Sequence, residues 1–130
     1  MANYNHLFSP FKLRKLELKN RLVMAPMATH YAAPDGSVTE RLLGHYAKRA
    51  WGGAGMIVTE SNYVSREGRG GISRLGLHED RLIEGHRRLA EAIHRGGARA
   101  CAQLHHAGIT ASPAVIGEMP VSASSGSYYV

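Results

Sequence analysis

The segment AGMIVTE at residues 54–60 decides the fold, because it is a short apolar run, rich in β-branched side chains, with a related run on each side of it. The flanking runs are RLVMAPM at residues 21–27 and ARACAQL at residues 98–104. Apolar runs without polar alternation are typical of parallel strands that are covered on both faces. The three runs therefore predict three strands of a parallel sheet, which requires crossover connections between them.

Both connections carry apolar residues at helical spacing, so the predicted order of elements is β-α-β-α-β. The first helix is predicted to begin at Thr39-Glu40 and to end at Gly52-Gly53. Its apolar stripe consists of Leu42, Leu43, Tyr46, Ala47 and Ala50. The second helix is predicted over about Glu79 to His94 and is closed by Gly96-Gly97. Its apolar side consists of Leu82, Ile83, His86, Leu89, Ala90 and Ile93.

The segments outside this unit are shorter. Apolar residues at 11 and 13, and again at 16 and 18, predict a hairpin that turns at Arg14-Lys15. Pro26 marks the point where the first strand stops pairing, since proline has no N–H to donate. From His105 onward the sequence is rich in Gly, Pro and Ser and predicts a loop.

Two α/β architectures fit this order: a doubly wound parallel sheet and a (β/α)8 TIM barrel. A barrel takes about 250 residues, whereas this chain has 130. As a barrel, residues 1–130 are expected to be the N-terminal part of an incomplete domain, with a hairpin, about the first three strands and two helices. A small doubly wound nucleotide-binding domain is disfavoured, because the segment ATHYAAPDG after Met27 lacks a GxGxxG pattern.

The composition narrows the class of protein. Hydrophobic residues make up 44% of the chain and charged residues 20%, as in ordinary globular domains. The single cysteine, Cys101, excludes an internal disulfide framework and is expected to be a small buried side chain. The net charge of +6 is not interleaved with aromatic residues, which disfavours a nucleic-acid partner. No apolar run approaches the roughly 20 residues of a membrane span, so we expect a cytoplasmic protein with no membrane partner.

Small and polar residues follow each predicted strand. They are Pro26 to His30 after the first strand, Glu60 to Asn62 after the second, and Gln103 to Gly108 after the third. In both architectures the carboxyl ends of parallel strands meet at one edge of the sheet, and ligands bind there. The sequence therefore predicts a ligand site built from these three segments.

Several segments together resemble the N-terminal part of the Old Yellow Enzyme family of FMN-dependent oxidoreductases. In order between residue 7 and about residue 108, they are LFSPFKLRKLELKNRLVMAPM, DGSVTE, HYAKRAWGGAGMIVTE, GRG, LGLHED and QLHHAG. Within the family, MATHYAAPDGSVTE is most similar to the branch that contains 2,4-dienoyl-CoA reductase and trimethylamine dehydrogenase. The resemblance implies a (β/α)8 TIM barrel with FMN bound across its carboxyl-terminal mouth.

The resemblance also implies which residues bind the cofactor. Pro26, Met27 and Ala28 match the strand-one segment whose backbone packs against the isoalloxazine ring. Ser61 matches the small residue beside the flavin edge, and Gln103 matches the glutamine whose amide binds the pyrimidine ring. An amide carries both a donor and an acceptor, which suits the mixed N–H and C=O edge of that ring.

By the same resemblance, His30 and His105 are expected to line the substrate pocket above the flavin, and His106 to make a structural hydrogen bond. Adjacent strand residues point to opposite faces, so His105 and His106 cannot chelate one ion together, and no metal site is expected. The chain departs from the family at Ala28, where many members have Thr or Cys, and at Ile109, where Arg is common. Without a side-chain donor at Ala28, we expect a weaker bias toward reduced flavin.

The implied activity is that of an ene-reductase. NADH or NADPH reduces FMN, and the reduced flavin passes a hydride to an activated alkene such as an enone or an enoyl thioester. The catalytic residues are unknown, because the family's proton donor and carbonyl-binding residues lie on later strands. FAD and an iron–sulfur cluster are expected only in a longer parent chain, since Cys101 alone cannot hold a cluster.

The isolated chain is not expected to be a competent catalyst, because its sheet keeps open edges until something closes the barrel. Its expected partners are a small-molecule substrate and either the remainder of the barrel or a complementary chain, with homo-oligomer formation as another route to closure. The alternative function is a non-catalytic flavin-binding or interaction module that assembles with a partner chain. Both functions need Gln103 and the strand-one segment, so the sequence leaves both open.

Overall fold

A computed structural model describes residues 4–124 of the chain. The strands are β1 (Phe11–Leu13), β2 (Leu16–Leu18), β3 (Val23–Met24), β4 (Met56–Tyr63), β5 (Leu75–Gly76) and β6 (Arg99–His105). The helices are α1 (Asn5–Phe8), α2 (Glu40–Trp51), α3 (Ile83–Arg95) and α4 (Pro113–Ile116), with short 3-10 turns at Asp80–Leu82 and Gly108–Thr110. The last of these turns and α4 lie in the stretch that the sequence predicted as loop.

The predicted hairpin is confirmed. Strands β1 and β2 are antiparallel, with Phe11 opposite Leu18 and Leu13 opposite Leu16. Arg14 has a φ of 54°, the left-handed conformation that a two-residue hairpin turn uses.

The predicted parallel sheet is also confirmed, with β4 in its centre. Strand β3 pairs with one edge of β4 (Val23 opposite Met56), and β6 pairs with the other edge (Met56 opposite Arg99). Both pairings are parallel, as the helical crossovers require. The carboxyl ends of all three strands therefore meet at the same edge of the sheet.

The prediction of a first strand over residues 21–27 was wrong in its length, because only Val23 and Met24 pair. Pro26 has no N–H for the ladder, and beyond it the backbone N–H of Thr29 donates to the Glu60 side chain instead of to a strand. The sequence also did not predict β5, which pairs in parallel with the end of β4 on the β3 side. Two residues within a loop carry no periodicity that could reveal such a strand.

The core lies between the sheet and the two long helices, which pack on the same face and against each other. Its larger side chains that are 0–2% exposed include Leu42, Tyr46, Ile57, Leu89 and Ile93. Burial of an aliphatic side chain of this size contributes about 1.5–3 kcal/mol. Helix α2 begins as predicted, with the Thr39 hydroxyl accepting the Leu42 N–H at 3.2 Å. Ile83 was wrongly placed in the apolar stripe of α3 and is 61% exposed, since it lies one residue past the buried Leu82.

The prediction that both faces of the sheet are covered was wrong for β6, most of whose side chains are exposed. Within residues 4–124, β6 pairs only with β4, and no helix covers the sheet face opposite α2 and α3. Cys101 is exposed for this reason, which corrects the prediction of a buried thiol. In the same part of the chain, no helix is both long and apolar enough to cross a membrane.

Candidate functional site

A β-bulge at Glu60 organises the carboxyl-terminal edge of the sheet. Thr59 lies opposite Ala102, but Ser61 lies opposite Gln103, so two steps along β4 match one step along β6. Glu60 is the extra residue. Without it, Ser61 would share the helix-covered face with Ile57 and Thr59, since strand side chains alternate.

The bulge brings predicted site residues together on the uncovered face. Along β4 the half-buried side chains are Met56, Val58 and Ser61, which is the pattern expected when the alternation shifts by one residue. Ser61 is therefore on the same face as its neighbour Gln103. His105 is two residues further along β6 and shares that face.

Gln103 presents a free amide on this face. The residue is exposed, and within residues 4–124 its side chain has no hydrogen-bond partner. Its main-chain carbonyl accepts a bond from the Asn62 amide at 3.3 Å. The half-buried Ser61 beside it adds little bulk. Together they form an open surface that offers one donor and one acceptor to a flat ligand.

The predicted strand-one segment reaches the same edge. Because Met24 lies opposite Ile57 in a parallel register, Pro26, Met27 and Ala28 continue toward the level of the bulge. Met27 is 69% exposed and Ala28 is exposed, so nothing in the described chain covers them. His30 follows with a φ of 59°, a conformation that is uncommon for a residue other than glycine.

The sequence placed Glu60 and Asn62 in a predicted ligand-site segment but did not predict that both are buried beneath this edge. Glu60 and Asn62 are both 0% exposed. The Glu60 carboxylate accepts from Thr29, and the Glu60 N–H donates to the Tyr46 hydroxyl at 2.7 Å. Burial, the largest cause, raises the pKa of Tyr46 to about 12. The available signal was the Thr-Glu pair at the end of an otherwise apolar run.

The loop over residues 64–73 packs against the end of β6. His106 accepts the Gly108 N–H at its Nδ1 at 3.0 Å, which confirms the predicted structural hydrogen bond. The Ala107 N–H donates to the Gly68 carbonyl at 2.8 Å. A Cβ on Gly68 would come within 2.5 Å of the His106 ring, so only glycine permits this approach.

A separate polar pocket of about 280 Å³ lies beyond the end of β4. It is lined by Asp35, Tyr63, Arg66, Arg69, His78, Glu79, Arg81, Val115 and Ile116. Arg81 pairs with both carboxylates, Asp35 and Glu79, so much of the charge is neutralised within the pocket. Hydrogen bonds from Ser37 are the main cause that lowers the pKa of Asp35. None of the predicted site residues lines this pocket. In the described part of the chain, no group of three or more His, Cys, Asp or Glu side chains is placed to hold a metal ion.

Comparison with known proteins adds an independent observation. The family described as NADH:flavin oxidoreductase / NADH oxidase matches residues 6–128. An NADH oxidase of Thermoanaerobacter brockii is 40% identical over 126 residues, which are 95% of this chain and 19% of the relative. An NADH:acrylate oxidoreductase of Vibrio harveyi is 44% identical over 110 residues, which are 84% of this chain and 11% of the relative.

A solved structure, of the old yellow enzyme homologue from Zymomonas mobilis, superimposes with a TM-score of 0.86 at 34% identity. The superposition covers 92% of this chain and 33% of that one. The chain thus spans less than a fifth of the length of these two curated relatives and about a third of the solved structure.

Proposed function

The chain belongs to the NADH:flavin oxidoreductase / NADH oxidase family, the Old Yellow Enzyme family, and from this premise we propose that residues 1–130 are the FMN-binding first portion of an ene-reductase-type oxidoreductase. The fold is that of the N-terminal part of a (β/α)8 TIM barrel, which excludes the doubly wound alternative. In the proposed reaction NADH or NADPH reduces FMN, and the flavin then reduces an activated alkene.

One observation carries the proposal: the strand ends form an open face with a free amide on it. The Gln103 side chain is exposed and unpartnered within the described residues, and its cross-strand neighbour is the small Ser61. An unpaired amide donor and acceptor match the N–H and C=O groups of a flavin pyrimidine ring. The arrangement therefore fits the cofactor that the family implies.

Each proposed contact follows from the placement of its residue. Gln103 binds the pyrimidine edge through its amide, and Ser61 leaves room for the ring. The backbone of the segment formed by the half-buried Pro26 and the exposed Met27 and Ala28 packs against the isoalloxazine. When bound, FMN supplies the hydride chemistry, while these residues bind and orient it.

The substrate side of the proposal rests on two exposed histidines. His105 shares the face of Gln103, and His30 follows the strand-one segment. We assign both to the substrate pocket. The names of two relatives, an NADH oxidase and an NADH:acrylate oxidoreductase, favour NADH as the donor and an alkene activated by a carbonyl group as the acceptor. No residue of this chain is assigned as the proton donor.

The proposal also covers what closes the barrel, the branch of the family, the location of the protein and the alternative function. The remainder of the barrel, a complementary chain or a second copy would close the sheet beyond β6. Within the family, we assign the chain to the branch that contains 2,4-dienoyl-CoA reductase and trimethylamine dehydrogenase. FAD and an iron–sulfur cluster are proposed only for a longer parent chain. We place the protein in the cytoplasm, where NADH is supplied. The alternative function is a non-catalytic flavin-binding or interaction module that assembles with a partner chain.

The experiment that tests the proposal is an anaerobic two-step reaction of the purified protein that contains these residues, loaded with FMN. We expect NADH to bleach the visible flavin band and a 2-enone or acrylate to restore it. Flavin that binds but is not reduced by NADH or NADPH would favour the non-catalytic module. Failure to bind FMN at all would contradict both functions.

A further inference from the structure

A carboxylate lies at the centre of the bulge without contact with solvent. Glu60 is 0% exposed and occupies the extra position between the two registers of β4 and β6. Transfer of a carboxylate out of water is costly unless hydrogen bonds replace the lost hydration. A buried Glu at this position therefore calls for a specific set of partners.

The partners of one carboxyl oxygen, Oε2, lie in the segment that follows the strand-one site residues, whereas Oε1 is buried without a hydrogen-bond partner among the described residues. Thr29 donates to Glu60 Oε2 twice, through its N–H at 2.9 Å and its hydroxyl at 2.5 Å. The Thr29 hydroxyl in turn accepts the Tyr31 N–H at 3.1 Å, so its proton is committed to the carboxylate. The Tyr31 carbonyl accepts from the Thr39 hydroxyl at 2.5 Å, which also caps α2. A continuous set of hydrogen bonds thus joins the bulge to the start of α2.

Two hydrogen bonds to the backbone of Glu60 hold the residue in place. The Glu60 N–H donates to the Tyr46 hydroxyl at 2.7 Å, and the Glu60 carbonyl accepts from the Asn62 amide at 2.6 Å. Both partners are 0% exposed. The acceptor for Thr29 therefore sits on a rigid part of the core.

The neighbouring segment has few other restraints. Pro26, Met27 and Ala28 lie in neither a helix nor a strand. Within the described residues, they make no backbone–backbone hydrogen bond. On one side they are attached to the two-residue β3, and on the other to Thr29. The two hydrogen bonds from Thr29 to Glu60 thus limit the movement of residues 26–28.

We propose that Glu60 is a positioning residue, which holds Thr29 and thereby sets the place of residues 26–28 at the ligand-binding edge. The proposal rests on the proposed function in taking that edge as the flavin site. The Glu60 carboxyl group suits this task, since one of its oxygens, Oε2, accepts both Thr29 donors.

The test compares Glu60→Gln and Thr29→Val with the conservative Thr29→Ser in the full protein. Thr29→Val removes the hydroxyl donor and keeps the N–H and the shape, so it serves where Glu60→Gln fails to fold. Glu91→Gln, on the exposed side of α3, is the matched control for loss of one carboxylate. The readouts are amide hydrogen exchange over residues 25–31 and the dissociation constant for FMN.

We expect both disruptive variants to speed exchange over residues 25–31 and to weaken FMN binding by about tenfold, the effect of losing one hydrogen bond. Thr29→Ser and Glu91→Gln should leave both unchanged. Unchanged exchange in the disruptive variants overturns the inference, as does faster exchange with unaltered FMN affinity or an equal loss of protection throughout β4 and α2. A wild-type protein that binds no FMN refutes the proposed function, and the exchange comparison then still decides whether Glu60 holds the segment.

Discussion

Removal of a single hydroxyl from the core tests how the bulge is held. Tyr46 is 0% exposed, and its hydroxyl oxygen accepts the Glu60 N–H at 2.7 Å. The substitution Tyr46→Phe leaves that N–H buried without this partner and creates almost no cavity. The cost of an orphaned buried donor is about 1–3 kcal/mol, which lowers the folding equilibrium constant by about 5- to 150-fold.

The pH dependence provides a second measure of the same group. Burial raises the pKa of Tyr46 to about 12, above the value of about 10 in an unfolded chain. A raised pKa means that the folded state favours the protonated hydroxyl. The resulting stabilisation is complete below pH ~10 and is lost as the pH rises toward 12. The variant lacks the group, so the stability gap between wild type and Tyr46→Phe should narrow above pH ~10.

The assay is urea unfolding followed by circular dichroism at pH 7–11. Tyr31→Phe is the matched control, because the Tyr31 hydroxyl has no hydrogen bond in the described residues and its ring keeps its contact with His45. We expect Tyr31→Phe to behave like the wild type. A Tyr46→Phe protein that is as stable as the wild type at pH 7, or a stability gap that is constant through pH 11, would refute the reasoning.

Substitutions at four further positions have defined outcomes. Gly96→Ala should destabilise the fold by about 1–3 kcal/mol, since its Cβ would lie 2.5 Å from Ala50 Cβ and 2.7 Å from Ala50 C. Gly44→Ala should stabilise α2 by about 0.5–1 kcal/mol, because a Cβ at Gly44 would have nothing within 4 Å. Thermal unfolding measures both effects. His45→Phe should flatten the stability profile between pH 7 and 5, because burial, the largest cause, lowers the pKa of His45. The folded wild type therefore binds fewer protons there than the unfolded chain and loses stability on acidification. Ala28→Thr should raise the midpoint potential of bound flavin, measured by spectroelectrochemical titration, and Ala28→Val should not.

Each of these expectations has a contradicting result. Equal effects of Gly96→Ala and Gly44→Ala would show that the close contact between the two helices does not limit the residue at 96. Parallel pH profiles for the wild type and His45→Phe would show that the ring does not stay neutral when folded. An equal shift in potential for Ala28→Thr and Ala28→Val would assign the effect to bulk rather than to the hydroxyl.

The sequence predicts the elements that have a regular spacing of apolar residues or a characteristic residue at their ends. The hairpin, the three parallel strands and the two long helices follow from apolar spacing, from the Thr39 cap and from paired glycines, and the structure confirms them. The shared edge of the strand ends follows from the parallel topology. The edge proposed for ligand binding can thus be predicted from the sequence.

The remaining features depend on contacts between distant residues. Glu60, the extra residue of the bulge, is hydrogen-bonded to Thr29 and Tyr46, 31 and 14 residues away, and no local pattern in the sequence indicates such partners. The length of β3 is set by the same bond to Thr29. The exposure of Cys101 reflects what covers β6 rather than the residues of β6 themselves.

The face of β6 that carries Gln103 is the proposed flavin site, and a comparison of FMN dissociation constants decides whether flavin binds there. Gln103→Leu removes the free amide, and Leu104→Ala changes the adjacent side chain, which is 68% exposed on the opposite face of the strand. With two neutral hydrogen bonds lost, we expect FMN to bind Gln103→Leu about ten- to a hundredfold more weakly than the wild type. Leu104→Ala should bind as the wild type does. Wild-type affinity in Gln103→Leu, or an equal loss in both variants, would contradict the assignment of this face to the flavin.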